Sequence, residues 1–317
     1  MKFTEAMLKS YAQPLSDTEN EKCKHAIREI RDALKELGYS STSDAIEPIE
    51  RDTFSYSTML KRAYTNEEIQ IFIQGSYANN TCVRGDSDVD IAIMRKDQYE
   101  YAFRKPFNPS SPDHRQDGKL FKNDVERVLR KHFPLDVIRK NKSIKVNGNT
   151  YRKQADTVPC FAIHYYDNWD EKNDHVHFVE GITIYADDGQ VIYNFPKQHI
   201  ANGRNKNGAT NHYYKKMVRI IKKMRYLMED MYISSAKEVS SFGLESLLWN
   251  IPNETFTKYM TYKYSFDEIV KYLVEHKWAL AFYKEANGIK QLCPTSTDEE
   301  RYKRFIDDLR LFYKYDI

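Results

Sequence analysis

Two aspartates, Asp88 and Asp90, stand in a stretch where apolar and polar residues alternate. On a β-strand, residues two apart point to the same face, so these carboxylates are expected to lie side by side. A carboxylate pair fills a core poorly but binds a divalent cation well, because Mg²⁺ prefers hard oxygen ligands. The spacing therefore predicts a metal site on a strand.

A glycine–serine pair, Gly75 and Ser76, precedes the acidic strand and follows residues 69–74, a β-branched and aromatic run that predicts a buried strand. Glycine lets the backbone approach a phosphate closely, and serine adds an N–H and a hydroxyl. Gly-Ser alone says little, and Asp-x-Asp is common on solvated strand faces. Their order along the chain predicts phosphoryl or nucleotidyl transfer, which depends mainly on positioning and charge neutralisation.

Asp156 is the best candidate for a third carboxylate. It begins an apolar stretch directly after the polar residues 152–154. Two interpretations are open: a ligand contributed by a neighbouring strand to a site for two Mg²⁺ ions, or a strand-entry residue exposed to water.

The rest of the chain predicts an α+β fold. Ser16 begins a capping box, and apolar residues then recur at helical spacing until Gly38, so a long helix is expected before the first strand. A further helix is expected over residues 119–133. Asn147 and Gly148 predict a hairpin turn, and a second hairpin is expected to turn at residues 187–189.

The character of the sequence changes near residue 208. Residues 202–208 are expected to form a loop, and helical periodicity dominates from there to the end. We therefore predict two domains, a sheet domain with its N-terminal helix at residues 1–208 and a helical domain at residues 209–317.

Composition excludes several classes of protein. The 317 residues carry a net charge of +3, with a sequence pI near 8.4 and a mean hydropathy of −0.74, so bulk charge does not indicate a nucleic-acid binder. No apolar run approaches the roughly 18 residues of a membrane helix, and the first residues contain no apolar signal segment. Four scattered cysteines favour reduced thiols. We expect a cytoplasmic protein without membrane contact.

The motifs resemble those of the nucleotidyltransferase superfamily that includes polymerase beta, oligoadenylate synthetase and the cGAS-like enzymes. More narrowly, the chain resembles the bacterial CD-NTases of anti-phage signalling, and within them the CdnE type. The resemblance extends over most of the chain. The matching segments are residues 74–77, 84–90, 155–160, 180–182, 194–197, 214–222 and 241–252.

The resemblance implies a polymerase beta-like sheet lobe, a helical C-terminal lobe and an active site in the cleft between them. It implies an enzyme that uses Mg²⁺ to join nucleoside triphosphates, releases pyrophosphate and closes the product into a cyclic oligonucleotide, foremost a cyclic dinucleotide. By position, Asp88, Asp90 and Asp156 become the catalytic and metal-binding triad. Asp156 would also help to activate the attacking ribose hydroxyl.

The resemblance also implies a set of nucleotide-binding residues. Gly75 and Ser76 become triphosphate contacts. Lys222, three residues after Arg219 on the same side of a helix, would reach the triphosphate from the helical lobe. Ser241, at an expected helix start, would do the same. For Lys222, a solvated helix face is the alternative.

Base choice is expected to depend on a pocket near the third carboxylate. Uridine-using relatives are expected to have an asparagine there, whereas residues 156–166 contain none and have Phe161, His164 and Tyr165 instead. This favours the purine nucleotides ATP and GTP as substrates. Phe161 and Tyr165 equally fit a role in the core.

Partners and competing functions follow from the same resemblance. It implies an effector protein of the same defence system that binds the product, and RNA or another activator is a further possibility. We expect a monomer. Two other functions stay open: a template-independent linear nucleotidyltransferase, and a non-catalytic nucleotide or RNA sensor, which has no need of an intact aspartate triad.

Overall fold

The computed structural model describes residues 3–41, 43, 45–49, 53–84, 88–103, 108–109, 114–166 and 178–313. The chain divides into two compact units. The sheet unit contains Ser16–Ala78 and Asp88–Lys197, and the helical unit contains Met1–Leu15, Asn79–Ser87 and Gln198–Ile317. The expected contiguous domains, 1–208 and 209–317, stay a prediction, because compactness in space does not require contiguity in sequence.

Helices and strands are both abundant, which confirms the α+β class. The helices are α1 (Glu5–Tyr11), α2 (Asp17–Leu34), α3 (Gly75–Ala78), α4 (Arg115–His132), α5 (Pro196–Ala209), α6 (Tyr214–Asp230), α7 (Ser235–Glu238), α8 (Ser241–Trp249), α9 (Asn253–Thr257), α10 (Tyr262–Glu275) and α11 (Ser296–Tyr313), with 3₁₀ turns at Lys35–Leu37 and Lys277–Phe282. The strands are β1 (Tyr39–Ser41), β2 (Glu47–Pro48), β3 (Tyr56–Arg62), β4 (Glu68–Gln74), β5 (Val89–Phe103), β6 (Asn108–Pro109), β7 (Val137–Arg139), β8 (Ile144–Val146), β9 (Ala155–Tyr166), β10 (Phe178–Tyr185) and β11 (Val191–Asn194).

The described strands form one sheet in the order β1-β3-β4-β5-β9-β10-β11, with β2 beside β3 and β6 beside β5. The β5–β9 pair is parallel, and the other pairs are antiparallel. The β7–β8 hairpin lies beside the start of β9, whereas β10 lies beside its later part. Because β5 and β9 run the same way, the first residues of both strands meet at one end of the sheet.

The long N-terminal helix is confirmed as α2. Ser16 caps it: its side chain accepts a hydrogen bond from the N–H of Glu19, and the Glu19 carboxylate accepts one from the N–H of Ser16. The helix buries an apolar face that includes Ile27 and Ile30, and Gly38 ends the following 3₁₀ turn with a φ of +87°. Capping and periodicity therefore sufficed to locate this element.

The expected loop at residues 202–208 is wrong, because these residues lie within α5. Two glycines favour a loop by propensity, but packing can override that preference. A β-carbon at Gly203 would overlap the amide of Asn79, so the glycine serves close packing inside the helix.

The hairpins are confirmed, with one correction. Strands β10 and β11 pair around the expected turn. Strands β8 and β9 also pair, but residues 147–154 connect them instead of a two-residue turn. The buried side chain of Arg152 holds the longer loop in place. Its guanidinium is 2% exposed, pairs with Asp136 at 3.0 Å and donates a hydrogen bond to the carbonyl of Asn147 at 2.7 Å.

Candidate active site

Side chains from four strands form a row across one end of the sheet. Gln74 of β4 lies opposite Asp90 of β5, Asp90 lies opposite Asp156 of β9, and Asp156 lies opposite Lys145 of β8. Residues paired in this way point to the same face of a sheet. The structure thus places two of the three predicted carboxylates on adjacent strands.

Asp88 directly precedes β5, two residues before Asp90. Its Oδ1 accepts a hydrogen bond from the side-chain amide of Gln154, and the next residue, Val89, donates its N–H to the Gln154 carbonyl at 3.0 Å. Gln154 therefore fixes both the side chain of Asp88 and the start of the strand. The residues before Asp88, which are Gly85, Asp86 and Ser87, predict a turn by their types, but they fall outside the described residues.

Gly75 and Ser76 follow β4 directly, as the first residues of α3. The φ of Gly75 is +70°, which residues with a side chain rarely adopt. A β-carbon at this position would also lie 2.6 Å from Oδ2 of Asp90. Glycine is thus needed here both for the backbone conformation and for the space that the Asp90 carboxylate occupies.

Asp156 is paired with Lys140, which lies between β7 and β8. The Lys140 ammonium donates to both carboxylate oxygens, at 2.9 Å and 3.0 Å. The two side chains are 40% and 20% exposed. Asp156 is therefore neither buried without a partner nor simply solvated at a strand entry.

The three aspartates offer the oxygen ligands that Mg²⁺ prefers. Asp90 and Asp156 lie in register on adjacent strands, and Asp88 directly precedes β5. Among the described residues, however, no three His, Cys, Asp or Glu side chains are grouped closely enough to hold a metal ion. Asp88 is turned to Gln154, and Asp156 to Lys140. The donor set fits the cation, and the metal triad stays a prediction that requires these two side chains to change partners.

The predicted cations of the helical unit lie on α6 and are buried. Lys222 is 2% exposed, and its ammonium lies 2.9 Å from Oε2 of Glu245 and donates to the Thr81 carbonyl at 3.1 Å. Arg219 donates to the Asn80 carbonyl at 2.5 Å, and burial lowers the pKa of Arg219 to about 10. A solvated face is therefore excluded for Lys222, and its triphosphate contact stays a prediction.

Glu245 is the centre of this buried network. Its carboxylate accepts a hydrogen bond from Thr81 Oγ1 at 2.6 Å and lies 2.7 Å from Nε2 of His199. Burial alone would raise the pKa of Glu245, but the charge of Lys222 and the contact with His199 outweigh it and hold the pKa well below its usual range. The network binds residues 79–81, the segment that follows α3, into the helical unit.

Ser241 is the first residue of α8, which confirms the expected helix start. Its hydroxyl accepts a hydrogen bond from Arg225 at 3.3 Å. The neighbouring Ser240 is the residue that caps the helix, by accepting from the N–H of Gly243 at 2.9 Å. A triphosphate contact by Ser241 stays a prediction.

The residues considered for base choice lie on opposite faces of β9. Phe161 is 1% exposed and packs against the ring of Phe121, which confirms its core role. Strand alternation places Phe161 and Tyr165 on the face opposite Asp156. His164 shares the face of Asp156 and stacks on Phe178 with ring centroids 3.8 Å apart.

Three residues that contact the predicted site residues were missed from the sequence: Lys140, Gln154 and Glu245. Glu245 had a signal, because it is the single charged residue of the apolar helix α8 and an acid inside such a helix needs a buried partner. Lys140 and Gln154 had none, since strand pairing alone brings them to Asp156 and Asp88.

No described helix is both long enough and apolar enough to span a membrane.

Comparisons with known proteins relate the chain to nucleotide synthases. A family model described as the cGAS/DncV-like nucleotidyltransferase C-terminal helical domain matches residues 201–314. The chain is 41% identical to the cyclic GMP-AMP synthase CdnE03 of Staphylococcus schleiferi, over 99% of this chain and 98% of that protein. It is 32% identical to the cyclic dipyrimidine nucleotide synthase CdnE of Cecembia lonarensis, over 92% and 90% of the two chains.

A solved structure is similar along its whole length. The CdnE cyclic dinucleotide synthase of Elizabethkingia meningoseptica, with GTP and Apcpp, superposes with a TM-score of 0.75 at 32% identity, over 99% of this chain and 100% of that one.

Proposed function

Because the chain belongs to the CD-NTases, the family of cGAS/DncV-like nucleotidyltransferases, and within it to the CdnE type, we propose that it is a cyclic dinucleotide synthase. One observation carries this conclusion. Asp90 and Asp156 lie in register on adjacent parallel strands, with Gly75 against the Asp90 carboxylate, in a chain that aligns from end to end with a cyclic GMP-AMP synthase.

The reaction joins two nucleoside triphosphates. A ribose hydroxyl of one nucleotide attacks the α-phosphorus of the other, an O–P bond forms, the bond to pyrophosphate breaks, and the hydroxyl loses its proton. The same step within the linear intermediate closes the ring and releases the second pyrophosphate. Such transfer depends on positioning and on neutralising phosphate charge.

The sheet unit supplies the reacting groups in this proposal. Asp88, Asp90 and Asp156 would hold divalent cations, which supply charge neutralisation at the phosphates. Asp156 accepts the proton of the attacking hydroxyl. Gly75 and Ser76 contact the triphosphate, since glycine leaves the backbone N–H groups accessible to phosphate oxygens.

Arg219, Lys222 and Ser241 are the proposed triphosphate contacts from the helical unit. The hydrogen bonds of Arg219 and Lys222 support a second role for these two side chains. Arg219 donates to the carbonyl of Asn80 and Lys222 to that of Thr81, in the segment that begins directly after α3. The second role is to hold this segment within the helical unit.

For the bases, we propose ATP and GTP. The relative with 41% identity is named a cyclic GMP-AMP synthase, and β9 carries no asparagine. The cyclic dipyrimidine synthase at 32% identity shows that base choice differs among relatives. Of the three residues considered, only His164 shares the face of Asp156, but it lies eight residues further along β9, roughly 26 Å away at about 3.3 Å per residue, so none of the three is assigned to the base.

The biological setting is proposed from the family alone. The product would bind an effector protein of the same anti-phage system, and RNA or another activator would switch synthesis on. We propose that the enzyme acts as a monomer in the cytoplasm.

The test is product analysis by mass spectrometry. Full-length protein is incubated with Mg²⁺ and all four nucleoside triphosphates, and the mixture is treated with phosphatase. A resistant cyclic GMP-AMP is expected. The double variant Asp88→Ala/Asp90→Ala should lose at least about 10³-fold in rate, because a catalytic metal contributes several kcal/mol and each 1.36 kcal/mol is tenfold.

Asp124→Ala is the matched control, since Asp124 is an exposed carboxylate on α4, paired with Arg127. It should retain full activity. A phosphatase-sensitive ladder would show linear polymerisation instead of cyclisation, and full activity of the double variant would refute the proposed site.

A further inference from the structure

The third carboxylate already carries a cation that belongs to the protein. The Lys140 ammonium donates to both oxygens of Asp156, at 2.9 Å and 3.0 Å. A divalent cation requires the same lone pairs. Building on the proposed function, we propose that Lys140 is a positioning residue: it acts as an internal counter-cation for Asp156 and competes with the metal for that carboxylate.

The backbone of Lys140 is anchored independently of this pair. Its N–H donates to the Ser143 carbonyl at 2.9 Å, and its carbonyl accepts from the Lys122 ammonium at 2.8 Å. Lys122 is itself 2% exposed and donates to the Asn141 carbonyl at 2.7 Å. The turn is therefore held by buried contacts, and the Lys140 side chain can leave Asp156 without disturbing it.

The strength of the pair suits exchange. Both side chains are partly exposed, at 40% and 20%, and ion pairs in such surroundings change an equilibrium constant by only roughly two- to fivefold. That is enough to hold the carboxylate in one orientation while no metal is bound. It is too little to keep out a divalent cation at a site with two further carboxylates.

Lys145 adds a constant positive background. It lies in register with Asp156 on the neighbouring strand β8 and points to the same face. Removing the charge of Lys140 would therefore leave one lysine beside the site, and the change in metal affinity would report the loss of the direct Asp156 contact.

A metal-binding assay tests this role of Lys140 without requiring catalysis. Free Mn²⁺ is followed by electron paramagnetic resonance during titration of the full-length protein. Lys140→Met keeps the length of the side chain and removes its charge. Lys142→Met is the matched control, because it removes the same charge from an exposed position two residues away. Lys140→Arg keeps the cation.

Lys140→Met should bind Mn²⁺ roughly two- to fivefold more tightly than Lys142→Met at low salt, since it no longer has a competing ammonium. The difference should shrink at 1 M NaCl, where the Debye length falls to about 3 Å. Lys140→Arg should bind no more tightly than the wild type. Affinity in Lys140→Met equal to or weaker than in the control would overturn the inference.

The variant Asp156→Asn distinguishes a failure of the proposed metal site from a failure of the role of Lys140. If it binds Mn²⁺ as tightly as the wild type, the metal is not at Asp156, and both the proposed metal site and the role of Lys140 are refuted. If Asp156→Asn loses affinity but Lys140→Met gains none, only the role of Lys140 is refuted. Circular dichroism of each variant confirms that the fold is retained.

Discussion

Two lysine–carboxylate pairs, one in each unit, have the same separation and opposite surroundings. The Lys140 ammonium lies 2.9 Å from Asp156, and the Lys222 ammonium lies 2.9 Å from Glu245. The side chains of the first pair are 40% and 20% exposed, whereas those of the second are 2% and 1% exposed. The distance is thus uninformative, and burial decides what each pair can do.

A buried pair does not open to water, because separation leaves a charge without solvent or counter-ion. In the absence of nucleotide, Lys222 and Glu245 therefore stay paired within the helical unit, together with the backbone of residues 80 and 81, and only another anion, such as the proposed triphosphate, could replace Glu245. The partly exposed pair of Lys140 and Asp156 loses little when it opens, because water reaches both side chains. Ligands can therefore replace contacts within the protein most readily at the end of the sheet that carries Asp90 and Asp156.

The two lysine–carboxylate pairs should differ most in their contribution to the free energy of unfolding. Glu245→Ala should lower the free energy of unfolding by about 3–5 kcal/mol, because it leaves the Lys222 ammonium buried and uncompensated. Asp156→Ala should change it by at most about 1 kcal/mol. Urea denaturation followed by circular dichroism measures both. Equal losses in the two variants would show that burial does not separate the pairs.

Substitution of Gly75 and of Gly189 tests whether the space beside the Asp90 carboxylate matters for activity. Gly75 and Gly189 have φ values of +70° and +88°, so alanine should cost about 1–2 kcal/mol at either position. Only at Gly75 would the new β-carbon meet a carboxylate, that of Asp90, whereas nothing lies within 4 Å at Gly189. Gly75→Ala should therefore lose about 10²-fold in synthesis rate.

Gly189→Ala is the control and should synthesise the cyclic product at the wild-type rate. The initial rate of pyrophosphate release gives the comparison, at a temperature where both variants are folded. If both variants lose activity alike, backbone strain and not the Asp90 contact explains the effect.

Salt should change the stability contribution of the two pairs differently, by a smaller amount than the substitutions above. The stability difference between wild type and Asp156→Ala should approach zero between 0.1 M and 1 M NaCl, as the Debye length falls from about 10 Å to about 3 Å. The difference between wild type and Glu245→Ala should stay constant, because ions do not reach the buried pair. A parallel decline of both differences would contradict the assignment.

Local signals predicted much of the fold and part of the site. The capping box at Ser16, the periodicity of α2 and the alternation around Asp88 and Asp90 all identified their elements, since each depends on neighbours within a turn or a strand. Gly203 shows the limit of such signals. Its propensity favours a loop, and only its packing against Asn79 explains why it lies in a helix.

Residue types and spacing were enough to predict the carboxylate pair of Asp88 and Asp90 and the glycine before it, because they set the donor chemistry and the face of a strand. Which cation meets which carboxylate follows from tertiary contacts, which the sequence does not contain. Asp156 pairs with Lys140 because the β7–β8 hairpin lies beside β9, and Lys222 pairs with Glu245 because two helices pack together. Contacts of this kind join residues far apart in the chain, and the free energy of burying them depends on the whole surrounding core.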